Sequence, residues 1–176
     1  MIDDSADLPR IVRFMIELDK LKAVLRKTKP VGFERYENSA EHSWQICVLA
    51  CLLGRFATAP VNIARVVELL LVHDIPEIDA GDQIVYDAPS ASRIASELEA
   101  AQRIFGLLPD DLEAWCMAAW QEFEARQTPE AVYARAVDRL MPVLHNLHAN
   151  GGSWREHQIS QDAVLAVNAV IGEACP

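Results

Sequence analysis

Val66-Val67-Glu68-Leu69-Leu70-Leu71-Val72-His73-Asp74 is the stretch on which the reading of this chain turns. It is an almost wholly apolar run with one internal carboxylate, closed by an imidazole and a second carboxylate. A helix that apolar is normally buried, and a buried charge is costly unless it is paired or bound to metal. The His73-Asp74 doublet therefore needs partners. Two other apolar stretches offer them. His42 stands just before Trp44-Gln45-Ile46-Cys47-Val48-Leu49, and Asp138 lies within Ala136-Val137-Asp138-Arg139-Leu140. Three segments that each bring a nitrogen or oxygen donor into a core have the layout of a metal site inside a helical bundle.

Working outward, the rest of the chain also reads as helix. Seven segments are expected: 7–26, 39–56, 60–73, 89–105, 109–126, 128–149 and 160–173. Ser39 is read as the cap of the second, with Glu41 in its first turn. Pro9, Pro109 and Pro129 fall where helix starts tolerate proline. Gly151-Gly152 reads as a stop, and Pro142 as a kink. Hydrophobic content of 51% over 176 residues is enough for one core, so a single domain spanning 1–176 is expected. Aromatic residues make up only 7%, and alanine and leucine dominate, which favours an all-α fold.

Charge and composition exclude several roles. The formal net charge of −10 argues against binding nucleic acid polymers or acidic membranes. It leaves room for a small phosphorylated ligand, because a metal and one or two basic residues can outweigh the global field. No charge-free run reaches the length of a membrane span. Met1-Ile2-Asp3-Asp4 lacks the basic and apolar regions of a signal peptide. The four cysteines show no CxxC spacing, and Cys47 and Cys51 are expected as reduced core residues on one helical face. A cytoplasmic protein is the expectation.

Each candidate has a plain structural alternative. His73-Asp74 could be a helix-terminal histidine with a capping aspartate, but the apolar run before it favours a ligand pair. His42 could be a buried histidine satisfied by a carbonyl, or a ligand whose second nitrogen is oriented by a neighbouring hydroxyl or carboxylate. Asp138 could form an intrahelical ion pair with Arg135 or Arg139, and His145 is a reserve ligand two turns on. Glu77, Asp79 and Asp82 could be a solvated acidic loop. A hydrolase, however, needs a base near the attacking water and an acid near the leaving oxygen, and Glu77 and Asp82 could divide those tasks. Arg26, Lys27 and Lys29 could be favourable charge at a helix C-terminus, or Arg26 a clamp on phosphate.

The string His73-Asp74-Ile75-Pro76-Glu77-Ile78-Asp79-Ala80-Gly81-Asp82 resembles the HD-domain metal-dependent phosphohydrolases. Glu37-Asn38-Ser39-Ala40-Glu41-His42-Ser43 resembles their first histidine motif, and Ala136 to Leu140 their last aspartate motif. Leu21-Lys22-Ala23-Val24-Leu25-Arg26 and the HDxxExxxxD pattern are most similar to the 5′-deoxynucleotidase branch. Trp120-Gln121-Glu122-Phe123-Glu124 and Gly151-Gly152-Ser153-Trp154 extend the similarity over nearly the whole chain.

The resemblance implies an HD-type helical bundle. It implies one divalent metal ion (manganese, cobalt, iron, nickel, zinc or magnesium) on His42, His73, Asp74 and Asp138. It further implies Glu77 and Asp82 as acid/base residues, Arg26 as a phosphate contact, a small nucleotide substrate and a homodimer. Lys27 departs from the pattern, since characterised members can carry an aromatic residue there. The expected reaction is hydrolysis of deoxyribonucleoside 5′-monophosphates to nucleoside and phosphate. Another nucleotide or a cyclic phosphodiester is the alternative substrate, and a non-catalytic module stabilised by its metal is the alternative class.

Overall fold

The computed structural model describes residues 4–87 and 90–175, side chains of residues 4–6 excepted. The expected helix start at Pro89 lies outside the described residues, as does Met1-Ile2-Asp3. Ten helices are described: α1 (Asp4–Leu18), α2 (Ser39–Leu53), α3 (Ile63–Val72), α4 (Glu77–Ala80), α5 (Ala91–Phe105), α6 (Asp110–Ala125), α7 (Pro129–His148), α8 (Gly152–Glu156), α9 (Gln161–Val167) and α10 (Ala169–Ala174). Tighter 3₁₀ turns follow α1 (Asp19–Ala23) and α2 (Gly54–Phe56). The described residues contain no strand, only one isolated antiparallel bridge between Leu25 and Asn38. The all-α expectation holds.

The differences in boundary have local causes. The first segment ends its α-helix at Leu18 and tightens to 3₁₀, so Arg26 lies in extended backbone. Asn38, not Ser39, caps α2: its side chain accepts from the Glu41 N–H at 3.0 Å, and Glu41 accepts from the Asn38 N–H at 2.8 Å. That is the reciprocal capping box, worth about 1 kcal/mol. Gly151, at φ 75°, stops α7 as expected, but α8 begins at the next residue. The final segment breaks in two at Asn168, whose amide donates back to the Val164 carbonyl at 2.7 Å. α7 is a single helix through Pro142.

α3 is the hub, packed against α2, α6 and α7. Val66, Leu69 and Leu70 are completely buried, which makes each worth about 2 kcal/mol. Ala50, Ala119 and Ala134 are equally buried on three neighbouring helices, and their small side chains allow the close approach. Tyr133 of α7 is buried but satisfied, donating its hydroxyl to the Ala50 carbonyl at 3.0 Å. The cysteines are free thiols. Cys51 is exposed, contrary to expectation, and Cys47 is half-buried, its thiol 3.9 Å from the Val67 carbonyl.

Candidate metal centre

α3 ends at Val72, and His73 and Asp74 follow in a tight turn before Pro76 and α4. This bend brings both side chains to the same side, which a regular helix would not do for neighbours about 100° apart. α2 delivers His42 from its first turn, and α7 delivers Asp138 from its middle. Ligand atoms of His42, His73 and Asp138 lie within 4.8 Å of one another, and all three residues are buried. His42 Nε2 is 3.0 Å and His73 Nε2 3.9 Å from Asp138 Oδ1. Asp74 stands against this trio, with Oδ1 2.9 Å from His73 Nε2.

The hydrogen bonding shows that the cluster suits a cation. His73 Nδ1 is 2.8 Å from the Leu70 carbonyl, which can only accept, so Nδ1 carries the hydrogen. In the neutral ring Nε2 is then a lone pair, buried and without a hydrogen-bond partner, facing the carboxylates of Asp74 and Asp138. Either a proton on Nε2, which turns the contact into an ion pair, or a bound cation relieves these facing acceptors. Two ligands with bonds of about 2.1 Å to one ion are at most about 4.2 Å apart, and the separations from Asp138 fall inside that limit. Two imidazoles with carboxylates are a donor set for a first-row divalent ion.

Arg26 and Arg135 offset part of the negative charge around the cluster. Burial disfavours ionised Asp74, but His73 and Arg26 outweigh it and hold the carboxyl at about 2. Burial works against Asp138 too; its hydrogen bond to His42 and the Arg135 charge drive it well below the usual carboxylate range. Arg135 Nη1 donates to Asp138 Oδ2 at 3.1 Å, so the ion pair and the cluster use different oxygens of one carboxylate. Arg26 is half-buried, its side chain 12% exposed, and it remains charged, since Asp74 and Asp138 overcome its desolvation. Its Nη1 donates to Asp74 Oδ2 at 2.8 Å, and its Nη2 is 3.8 Å from Asp138 Oδ1.

Arg26 is not at a helix C-terminus. Its N–H donates to the Glu37 carbonyl at 2.8 Å, and the Glu37 N–H donates to the Thr28 carbonyl at 2.9 Å. This short pairing fixes the arginine beside the bend. It also places Glu37, which is completely buried, with Oε2 3.4 Å from both His42 Nδ1 and Arg26 Nε. Sequence reasoning quoted Glu37 within a motif without assigning it a task. The available signal was a carboxylate five residues before a buried histidine. His145 is not in the trio; its Nδ1 lies 4.0 Å from Glu37 Oε1.

The acidic segment after the doublet divides in two. Asp79 turns outward and pairs with Arg103. Glu77 turns inward, its Oε2 accepting from the Ser39 hydroxyl at 2.8 Å. Burial, then the Asp74 charge, push its carboxyl well above the ordinary range. Burial also raises Asp82, to about 6, with Arg26 opposing and Asp74 adding to the rise. Arg26, His73, Asp74, Glu77, Asp82 and Asp138 all line one cavity of about 560 Å³, and His42 lies buried beneath them.

An all-α bundle thus gathers histidine, histidine-aspartate and aspartate from three segments beside one cavity, a donor set that could hold a divalent metal ion. The HD domain family profile matches residues 18–176. The crystal structure of a predicted metal-dependent phosphohydrolase from Magnetospirillum magnetotacticum MS-1 is 44% identical, with a TM-score of 0.90 over 96% of this chain and 87% of that one. The 5′-deoxynucleotidase HDDC2 of Homo sapiens is 28% identical over 75% of this chain and 66% of its own length. HDDC2 of Danio rerio is 26% identical over 90% and 83%, and a 5′-deoxynucleotidase of Pasteurella multocida is 32% identical over 60% and 58%. The chain belongs to the HD-domain family of metal-dependent phosphohydrolases.

Proposed function

We propose that this protein hydrolyses deoxyribonucleoside 5′-monophosphates to nucleoside and phosphate. The observation that carries the reading is Arg26: a half-buried guanidinium 2.8 Å from Asp74 and 3.8 Å from Asp138, opening on the same cavity as Glu77 and Asp82. Relatives that bear the 5′-deoxynucleotidase name support the substrate class. His42, His73 and Asp138, with Asp74 as the fourth ligand, would hold one divalent ion. When bound, such an ion supplies Lewis acidity to a phosphate oxygen and acidifies water.

The chain's own residues do the rest. Arg26 binds and orients the phosphate through its planar fork of donors. Asp82 takes the proton of the attacking water. Glu77, whose carboxyl is raised by burial and by the Asp74 charge, gives a proton to the leaving 5′-oxygen. Inward-facing acid/base groups favour an enzyme over a module in which the metal only secures helices. A homodimer is part of the same proposal. On α2 an apolar stripe of Trp44, Val48 and Leu52 is 67%, 44% and 66% exposed, at the i, i+4, i+8 spacing of one helical face.

Phosphate release by the metal-reconstituted protein tests the activity. The panel is deoxyribonucleoside and ribonucleoside monophosphates, di- and triphosphates and cyclic nucleotides. Highest kcat/KM on a deoxyribonucleoside monophosphate is expected. Preference for a cyclic diester or a triphosphate would overturn the substrate, and inactivity on every phosphoester would overturn the enzyme.

A further inference from the structure

A second, smaller cavity adjoins the first, and Arg26, Asp82 and Arg139 line both. The larger cavity is walled mostly by ionisable side chains, which suit phosphate and water. The smaller one has a different character. Tyr86 and Trp154 give it aromatic surface, and Pro142 and Val143 of α7 add aliphatic surface. The Trp154 indole N–H donates to the Tyr86 hydroxyl at 2.9 Å, so two rings far apart in sequence are held together. Asn146 fixes Trp154 from α7: its Oδ1 accepts from the Trp154 N–H at 3.1 Å and from the Ser153 hydroxyl at 3.0 Å. His157 also lines this cavity, and its Nε2 is buried with no hydrogen-bond partner among the described residues. None of these groups serves the chemistry at the metal centre.

A buried imidazole nitrogen without a partner is costly, and a ligand that hydrogen-bonds to it removes the cost. Aromatic and aliphatic walls suit a flat ring, because every nucleobase has a π-face that gains from such contact. The guanidinium at the junction ties this surface to the phosphate side. We infer that the smaller cavity is the nucleobase subsite, with Trp154 and Tyr86 packing against the base and His157 Nε2 hydrogen-bonding its edge. The inference rests on the nucleotide reading above and adds to it the residues that select the base.

Steady-state kinetics of the metal-reconstituted full chain test it, with nucleoside 5′-monophosphates compared against 2-deoxyribose 5-phosphate, which has the phosphate and sugar but no base. Trp154→Ala should raise KM for the nucleotides about 10–100-fold, the scale of a lost base–aromatic contact. It should leave kcat/KM for 2-deoxyribose 5-phosphate within about two-fold and metal content unchanged. Trp154→Phe should keep most of the affinity. His157→Ala should alter the ratio of kcat/KM between purine and pyrimidine nucleotides without moving the base-less substrate. Should Trp154→Ala fail to fold, Trp154→Leu carries the same comparison. Equal losses on both substrates, or none on nucleotides, overturn the subsite. Should the wild type cleave no nucleotide, the substrate proposal fails by itself. Equilibrium dialysis with deoxynucleosides then decides the subsite: binding lost in Trp154→Ala supports it, and absence of binding to the wild type overturns it.

Discussion

Arg26 Nη1 and Asp74 Oδ2 lie 2.8 Å apart, so the residue assigned to phosphate is already paired with a residue of the metal cluster. A phosphate arriving at Arg26 meets a guanidinium that is held in place and fully charged. Arg26→Ala should therefore raise KM for a nucleoside monophosphate about 10–150-fold, the equivalent of roughly 1.5–3 kcal/mol for a lost charge-assisted contact. The substitution also leaves the carboxylates less neutralised, so metal affinity should not fall. Kinetics and metal analysis on one preparation check both statements, and an unchanged kcat/KM would sink the phosphate assignment.

Truncating a ligand gives the opposite pattern. His73→Ala and Asp138→Ala should each lose tight metal binding and activity together. Circular dichroism verifies that the helices persist. Full metal occupancy in a folded variant would remove that residue from the ligand set.

Glu37 sits between the two functions, 3.4 Å from His42 on one side and 3.4 Å from Arg26 on the other. A carboxylate behind a ligating imidazole fixes its tautomer and its direction. Glu37→Gln should weaken metal binding about 10–100-fold, the usual cost of losing such a partner. Chelator competition with cobalt measures it, and the visible spectrum of the bound ion reports the altered ligand field. Wild-type affinity in the variant would make Glu37 a packing residue only.

For the proton-transfer pair, kcat should fall about 10²–10⁴-fold in both Glu77→Gln and Asp82→Asn, with metal content retained. The pH profile separates them. Asp82 titrates at about 6, is protonated below that value and so is able to accept a proton only above it. Activity should rise through pH 6, and Asp82→Asn should remove that limb. Glu77 must stay protonated to donate, and its carboxyl is raised. The alkaline limb should therefore lie well above the ordinary carboxylate range and disappear in Glu77→Gln.

The dimer proposal has a direct check. Trp44→Asp with Leu52→Asp should shift sedimentation toward the monomer while the helical circular dichroism signal is kept. A monomeric wild type, or a dimer that survives both charges, would discard the α2 face as the interface.

Much of this was legible in the chain because periodicity and chemistry agreed. The apolar run to Val72, with the doublet at its end, announced a buried helix whose terminal doublet needed partners, and the structure has that helix, that bend and His42 and Asp138 beside it. Arg26 was harder to place. A basic cluster after a helical pattern reads as helix-terminal charge, whereas its extended backbone is set by pairing with Glu37, a long-range hydrogen bond that no local propensity encodes. Glu37 and Trp154 stood in quoted motifs without a task, and Tyr86 in none, for the same reason: their surroundings are assembled by tertiary contact. The opposite fates of Asp79 and Glu77 were also hidden, since they depend on Arg103 and Ser39, each far away in sequence.

α7 carries Asp138 at the cluster and Asn146 behind Trp154 on one helix. Eight residues of helix rise about 12 Å and turn about 800°, and neither figure adapts to a ligand. The helix thus works as a yardstick between the two cavities. A single residue inserted between Asp138 and Asn146 would delete no functional group, yet it would swing Asn146 by about 100° and release Trp154. Chain length within this span should be as intolerant of change as the ligands themselves.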